Sequence, residues 1–517
     1  MKIAVSVIIV HWNTPRKLRN SLKILSRSDN LELIIIDNNS SESVSWIKES
    51  FPSTILIENK FNRGYAAACN QGLIVAKNEW CLFLNPDVEM NEEKILRMVE
   101  ATDKQKFDAA SIKTTDAYQK PLPTWITLLI EFSPLNRLFS LSWFSPKTLF
   151  GGCLLIKKSV LVDLGGWDER FFLWFEDSDL TKRLVNSGYK IGWFNFSLTH
   201  TGGSSFNKLK NQERKEIFFN SMEIYARKYF SFFGRQVIKK IKERYSRRYL
   251  LPIFSRGLSI TVPNMYKENL RDFFANNKNF LSCIPELIVV TSSVDNKEIW
   301  DWRKKYPGIR FINIKYNPGF ATTVNLGFRV SSGEWIGTVN DDVILNNDWL
   351  KNLLSCKSTD IGSLNPVIYN TSGEIESAGI DILPEGKAVP KKTASAKHCI
   401  EVDSTNAAAI LYQKEALNTV GLFDELFGSY LEDIDLSLRL RRKGFKNIVC
   451  TSSKITHLGQ TTSKKFRQKK AFLDFKNWIL VILKNWGIRK TVKYLPLLFL
   501  ERLRNISGIM KAYFEYN

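Results

Sequence analysis

The 517-residue sequence predicts an α/β protein made of two tandem domains, each with a mostly parallel sheet, followed by a basic helical tail. Three observations predict it. Short apolar runs that end in polar loops alternate with amphipathic segments, the pattern of a parallel sheet covered by helices. An ordered set of acidic pair, helix, glycine, strand and Thr-His occurs twice, in FFLWFEDSDLTKRLVNSGYKIGWFNFSLTHTGG (Phe171 to Gly203) and YLEDIDLSLRLRRKGFKNIVCTSSKITHLG (Tyr430 to Gly459). Asp87 and Asp342, Asp177 and Asp433, and His200 and His457 are each separated by roughly 255 residues, a whole-domain duplication. The expected boundaries are 1–235 and 258–460 for the domains, 236–257 for a basic linker and 461–517 for the tail.

The first unit opens with a strand over Val5 to Val10 and a helix from about Pro15 to Ser26, with Thr14 as cap and Pro15 at its first position. A second strand, Leu31 to Ile36, ends in Asp37-Asn38-Asn39-Ser40. In parallel sheets ligands lie beyond the carboxyl ends of the strands, so Asp37 is placed either to meet a nucleotide or to hold a turn. Asn62-Arg63-Gly64-Tyr65 then leads into a helix of small side chains, where backbone approaches a ligand closely. The strand Trp80 to Leu84 ends in Asn85-Pro86-Asp87, a carboxylate suited to a divalent ion that bridges phosphates.

The segment PLPTWITLLIEFSPLNRLFSLSWFSPKTLF, residues 121–150, is rich in Pro, Trp and Phe; an acceptor-side loop, a lid and a membrane-touching insert all fit it. Gly165-Gly166-Trp167-Asp168-Glu169 forms a turn ahead of the acidic pair. Asp179 is placed to cap a helix whose Leu180 and Leu184 share one face, with Gly188 as its stop and a strand from Tyr189 to Phe194 beyond. Glu176 and Asp177 therefore stand at a helix entrance, where the dipole and free N–H groups favour an ionised carboxylate.

The second unit repeats this order. Asn317-Pro318-Gly319-Phe320 stands for the glycine loop, Asn340-Asp341-Asp342 for the strand end and Gly421-Leu422-Phe423-Asp424-Glu425 for the turn. One element departs: Leu287-Ile288-Val289-Val290 ends in Thr291 where the first unit has Asp37.

Apolar content of 44% and charged content of 24% fit folded domains rather than wholesale disorder. The net charge of +22 suits a nucleic acid, an anionic membrane or a phosphorylated ligand. No zinc-finger spacing, RNA-binding aromatic signature or helix-turn-helix pattern accompanies it, which argues against nucleic acid. The basic residues instead cluster with apolar ones, in RQVIKKIKERYSRR (Arg235 to Arg248), in KKFRQKK (Lys464 to Lys470) and through the tail from Phe472 to Phe514. That pattern fits amphipathic helices on an anionic membrane face, and equally a docking helix. Seven scattered cysteines without CxxC spacing argue against a disulfide framework or a structural zinc site. The opening apolar run lacks the features of a signal peptide, and no run reaches the 18 residues of a spanning helix. The expectation is a cytoplasmic protein, peripheral at the inner face of the plasma membrane.

Taken together in their order, Asp37-Asn-Asn-Ser, Asn62-x-Gly-Tyr-Ala-Ala-Ala-x-Asn70, Asn85-Pro-Asp-Val, Gly165-Gly-Trp-Asp-Glu and Phe175-Glu-Asp-x-Asp-Leu resemble the family 2 inverting glycosyltransferases of GT-A fold. The most similar subgroup is that of bacterial rhamnosyltransferases and related enzymes of O-antigen, capsule and cell-wall polysaccharide assembly. The resemblance covers about 1–230 and 257–460.

The resemblance implies a catalytic base at Asp177 and Asp433, and Mg²⁺ or Mn²⁺ at Asp87 and Asp342, with His200 and His457 as further metal ligands or as structural histidines. It implies nucleotide contacts at Asp37, Asn62, Gly64, Asn317 and Gly319. Asp168 and Asp424 either orient an acceptor or brace their turn. Both strand-end motifs depart from the common Asp-x-Asp by having Asn first, which weakens that ligand. The implied partners are a nucleotide-sugar donor, such as a dTDP-rhamnose or UDP-sugar, and a glycan or lipid-linked acceptor. Alternatives are one catalytic domain beside a degenerate one, a carbohydrate-binding scaffold, and a nucleotidyltransferase.

Overall fold

The computed structural model describes residues 4–112, 120–195, 208–246, 248, 250–252, 254–281, 284, 286–292, 294–459 and 467–514. The chain forms two compact units, Met1–Phe254 with Asp295–Ile312, and Ser255–Val294 with Asn313–Asn517.

The first sheet runs Ile55–Glu58, Leu31–Asp37, Val5–His11, Trp80–Leu84, Cys153–Lys157, Ala109–Ile112, Ile191–Phe194. Val5–His11 pairs in parallel with both neighbours, and Cys153–Lys157 runs antiparallel to Trp80–Leu84. Alternation along the strands divides the core between two faces. Val7, Ile9, Leu33, Ile35 and Leu82 meet Leu18, Leu22, Ile95 and Met98 of helices Pro15–Leu25 and Glu92–Lys104. Ile8, Ile34, Ile36 and Phe83 meet Ala66, Leu73, Leu180 and Leu184 of helices Tyr65–Val75 and Glu176–Asn186. The small side chains of Tyr65–Val75 let that helix lie close: a Cβ on Gly72 would stand 2.5 Å from Ile8 Cγ2. The segment Asp295–Ile312 completes this unit, with Trp300 in the same apolar cluster as Trp167 and Arg303 Nε 2.9 Å from Glu169.

From the second strand on, the second unit repeats that order: Glu286–Thr291, Ser255–Asn264, Gly333–Val339, Ala409–Gln413, Ile361–Tyr369, Lys446–His457, with Val343–Leu345 beyond. The insert differs. Between Ala109–Ile112 and Cys153–Lys157 the first unit has a helix, Trp125–Glu131, whereas the second has short strands Ile375–Ser377, Ile380–Ile382, Ala388–Pro390 and Cys399–Val402. After each acidic helix a further helix docks, Asn211–Tyr229 in one unit and Arg467–Asn485 in the other.

Two expectations change. The acidic helix begins at Glu176 with Phe175 as its cap residue, so Asp179 lies inside the first turn and caps nothing; its Oδ2 instead accepts from Arg183 Nε at 2.7 Å. Cys356 and Cys399 form a disulfide, which a separation of 43 residues gave no reason to expect.

Candidate active sites

In each unit the chain reaches the acidic pair through two consecutive residues in the left-handed region, Trp174 and Phe175 at φ 66° and 67°, Tyr430 and Leu431 at 73° and 64°. Large side chains rarely adopt this conformation, and its recurrence at matched positions marks strain held where function requires it. Surrounding bonds over-determine it. Ser221 Oγ donates to Leu173 O at 2.8 Å in the first unit. In the second, Asn477 Nδ2 donates to the carbonyls of Phe427, Ser429 and Tyr430 at 2.9, 2.8 and 2.7 Å.

The bend delivers Glu176 and Asp177 into a cavity of about 300 Å³ that also takes in Asn62, Gly64, Asn85, Asp87 and Lys120, with Trp12, Phe172 and Phe254 as an aromatic wall. Asp177 Oδ1 accepts from Ser178 N at 2.6 Å. Burial lifts the Asp177 carboxyl above its usual range against the pull of Lys120. Burial, then Asp177 beside it, raises Glu176 to about 8, and Glu176 Oε2 is buried without a hydrogen-bond partner. At neutral pH Glu176 is thus held as the carboxylic acid.

The second cavity, about 1060 Å³, is lined by Asn317, Asn340, Asp341, Asp342, Glu376, Asn406, Ala407, Glu432 and His457, among others. Asp433 stands directly behind this lining, with Oδ2 accepting from Ala407 N at 3.1 Å and Oδ1 from Ile434 N at 2.9 Å. Burial raises both Asp433 and Glu432, the latter further because Asp433 adjoins it. His457 sits between two carboxylates, Nε2 3.3 Å from Asp342 Oδ1 and Nδ1 3.0 Å from Glu376 Oε2. Burial works against its charge, yet these partners raise it to about 10.

Glycine positions the two Asn-x-Gly loops by close approach. Gly64 has φ +77°, and a Cβ there would lie 2.5 Å from Phe172 O; at Gly319, φ +97°, it would lie 2.7 Å from Gly428 O. Each glycine N–H is taken by a side chain two residues earlier, Asn62 Oδ1 and Asn317 Oδ1, both at 2.9 Å. Asn62, Gly64 and Asn317 line the cavities, and Gly319 sets the backbone just before the lining residue Phe320.

The glycosyl transferase family 2 profile matches residues 6–165 and 259–373, together more than half of the chain. The chain belongs to glycosyl transferase family 2. A profile described as the N-terminal domain of galactosyltransferase also matches residues 143–203. Among relatives of this family 2 chain, "Probable glycosyltransferase YdaM" of Bacillus subtilis is 25% identical over 38% of the chain and 50% of that protein. The "N-acetylglucosaminyl-diphospho-decaprenol L-rhamnosyltransferase" of Mycobacterium tuberculosis is 24% identical over 35% of the chain and 71% of its own length. Among solved structures, S. aureus TarS 1-349 in complex with UDP-GlcNAc aligns at 17% identity and a TM-score of 0.32, over 47% of this chain and 71% of that one. The chain thus spans about half the length of the first of these relatives.

The remaining predicted residues of this family 2 protein divide between cleft and scaffold. Asp37 is buried beside the first cleft rather than in its lining, with Oδ2 accepting from Ser40 N at 3.0 Å and Oδ1 3.9 Å from His11 Nε2. Thr291 Oγ1 donates to Asn264 Oδ1 at 2.8 Å, and Asn264 Nδ2 donates to Asp341 Oδ2 at 2.7 Å. Asp168 and Asp424 line neither cleft. Asp168 accepts from Arg170 Nε at 2.9 Å and Lys228 Nζ at 2.8 Å; burial opposes its charge, but these cations hold its carboxyl well below the usual range. Asp424 accepts from Leu426 N at 3.0 Å and pairs with Lys484. His200 lies outside the described residues.

Sequence reasoning missed Lys120 and Glu376. Both come from the inserts that differ between units, where no repeat could flag them.

Proposed function

We propose that this chain is an inverting glycosyltransferase that moves a sugar from a nucleotide-sugar donor to a hydroxyl of a bacterial surface glycan or its lipid-linked precursor. The observation that carries the reading recurs in both units: a strained turn sets an acidic pair at a helix entrance, with Glu176 and Asp177 lining the cleft that holds Asp87, and with Glu432 lining the cleft that holds Asp342, where Asp433 stands behind that lining. Asp177, and Asp433 in the second site, accepts the acceptor hydroxyl proton as the oxygen attacks the anomeric carbon. The new C–O bond forms opposite the breaking bond to the diphosphate, so the anomeric configuration inverts. A raised pKa suits the base, because it strengthens proton affinity.

The donor set fits a hard divalent cation such as Mg²⁺ or Mn²⁺. In the second cleft Asn340 Oδ1 is buried without a hydrogen-bond partner beside Asp342 and His457, and in the first Asp87 and Asn85 take the corresponding place. When bound, the ion neutralises charge that gathers on the leaving diphosphate. Glu176, raised to about 8, and Glu432, raised by the same causes, favour the neutral acid, which keeps a second negative charge away from that diphosphate. The similarity to a rhamnosyltransferase favours a deoxyhexose donor.

No helix among the described residues is long and apolar enough to cross a membrane. The last helix, Ile488–Phe514, exposes Ile488, Val492, Leu495, Phe499, Leu500 and Leu503 beside Arg489, Lys490 and Lys493, which supports attachment to an anionic lipid surface near a lipid-linked acceptor.

A panel of UDP-, dTDP- and GDP-sugars, scored for donor hydrolysis and transfer with and without Mg²⁺ or Mn²⁺, tests the reading. Asp177→Asn and Asp433→Asn should each remove a distinct transfer step by about 10²–10⁴-fold. Unchanged products from either variant would overturn two working sites; unchanged products from the double variant would overturn the reading.

A further inference from the structure

Away from both clefts, on the face of the second unit's sheet that carries helix Trp349–Leu354, three cysteines and a histidine converge from three distant stretches of chain. Cys356 follows that helix, His398 and Cys399 open strand Cys399–Val402, and Cys450 lies within strand Lys446–His457. The two strands pair antiparallel with Cys399 directly opposite Cys450, and directly opposed residues of such a pair point to the same face. One ligand atom each from Cys356, His398 and Cys450 lies within 4.8 Å of the others, and Cys399 is joined to Cys356.

We propose that these four side chains form a Cys₃His site for a zinc-like divalent cation, open to the metal when the Cys356–Cys399 disulfide is reduced. Zinc takes thiolate and imidazole ligands in tetrahedral geometry at about 2.3 and 2.0 Å, so its ligand atoms stand roughly 3.5–4 Å apart.

Imidazole support is already built. His398 Nε2 lies 2.7 Å from Ser355 Oγ and Nδ1 3.2 Å from Ser452 Oγ, so whichever nitrogen binds metal, the other keeps a serine that fixes ring and tautomer. Cys450 and Cys356 are buried, whereas Cys399 and His398 are exposed, which supplies a dry inner half and an entry path from solvent.

Disulfide and metal exclude each other, because a sulfur in an S–S bond has no thiolate to donate. A small thiol converts one form to the other: the protein disulfide and two RSH give two cysteine thiols and RSSR, and metal capture then releases the three thiol protons to solvent. The disulfide ties the insert strand to the end of the helix, and the metal form adds Cys450 of the strand that carries His457 seven residues further on. The site therefore braces the second cleft without entering it.

The full chain, reduced with a phosphine and freed of metal, would be titrated with Co²⁺ and with Zn²⁺. The expected result is about one equivalent bound, with thiolate-to-cobalt charge transfer and the visible bands of a tetrahedral ion. Cys450→Ser leaves the disulfide partners intact and should lose those bands and weaken zinc binding by more than about a hundredfold; Ser355→Ala with Ser452→Ala should cost about 10–100-fold. His398→Gln, an exposed substitution, should shift the cobalt spectrum. Reduced protein that binds neither ion, variants that bind as the unmodified chain does, or oxidised protein that binds equally tightly would each overturn the proposal.

Discussion

The two clefts share a backbone plan and differ in what surrounds it. At one strand pair the first unit sets His11 opposite Asp37, and the second sets Asn264 opposite Thr291. The first pair contains groups that titrate; the second is neutral and passes its hydrogen bond on to Asp341, a carboxyl that burial raises to about 7. Where the first cleft has the cation of Lys120 and an aromatic wall, the second has Glu376 of its strand-rich insert paired with His457. A duplicated frame therefore tolerates divergence in the ligand-facing shell while the strained turn and the helix entrance stay. Under the proposed function, the difference assigns the acidic pair to a reaction step common to both units and the strand-end residues to whichever donor each one meets.

The largest effect expected from breaking this comparison lies under the acidic helices. Asp179 and Asp435 are both fully buried and pair with Arg183 and Arg439, which clamp the turn carbonyls of Gly166 and Leu422 at 2.8 Å. Removal of Arg439 leaves Asp435 with the neutral amide of Asn485, whereas Asp179 keeps the ammonium of Lys228. Arg439→Met should cost about 3–5 kcal/mol in unfolding of the second unit, and Arg183→Met measurably less in the first. Denaturant titration followed by limited proteolysis, which separates the two units, checks the order.

His11 supplies the next effect. Burial lowers its pKa from 6.5 to about 4, against the attraction of Asp37. The unfolded chain then binds the extra proton between these values, so the first unit loses stability as pH falls from 6.5 to 4, by up to about 3 kcal/mol. His11→Asn, which copies the second unit, should abolish that acid sensitivity in thermal melts from pH 4 to 7, while the second unit's transition stays unchanged.

Exchange of the neighbouring residue sharpens the donor comparison. Asp37→Thr should weaken donor binding at the first site by about 1.5–3 kcal/mol, the worth of a hydrogen bond to a charged group. Isothermal titration with the nucleoside diphosphate product measures it. Equal affinity in the variant would remove Asp37 from nucleotide recognition.

The smallest effect on transfer is expected at the acid beside the base. Glu176, raised to about 8 from 4.5, stabilises the fold in its protonated form, so stability is present below about 4.5 and is lost as pH rises through 8. Glu176→Gln keeps the shape and the neutral charge. Its first unit should melt with less loss between pH 5 and 8 than the unmodified protein, and transfer at pH 7 should fall by no more than about tenfold.

Much of this protein was legible in its sequence where the cause is local. Short apolar runs marked the strands, Gly64 and Gly319 were read as points of close backbone approach, and the duplicated Glu-Asp pair marked both helix entrances, because each rests on neighbours a few residues apart. Only the tertiary structure decided that Asp168 and Asp424 turn to Lys228 and Lys484, that Glu376 reaches His457, and that Cys356, Cys399 and Cys450 meet. Such contacts join residues some 40 to 100 positions apart. The packing of helices and inserts on the sheet sets them, and no short-range pattern of side chains encodes that packing.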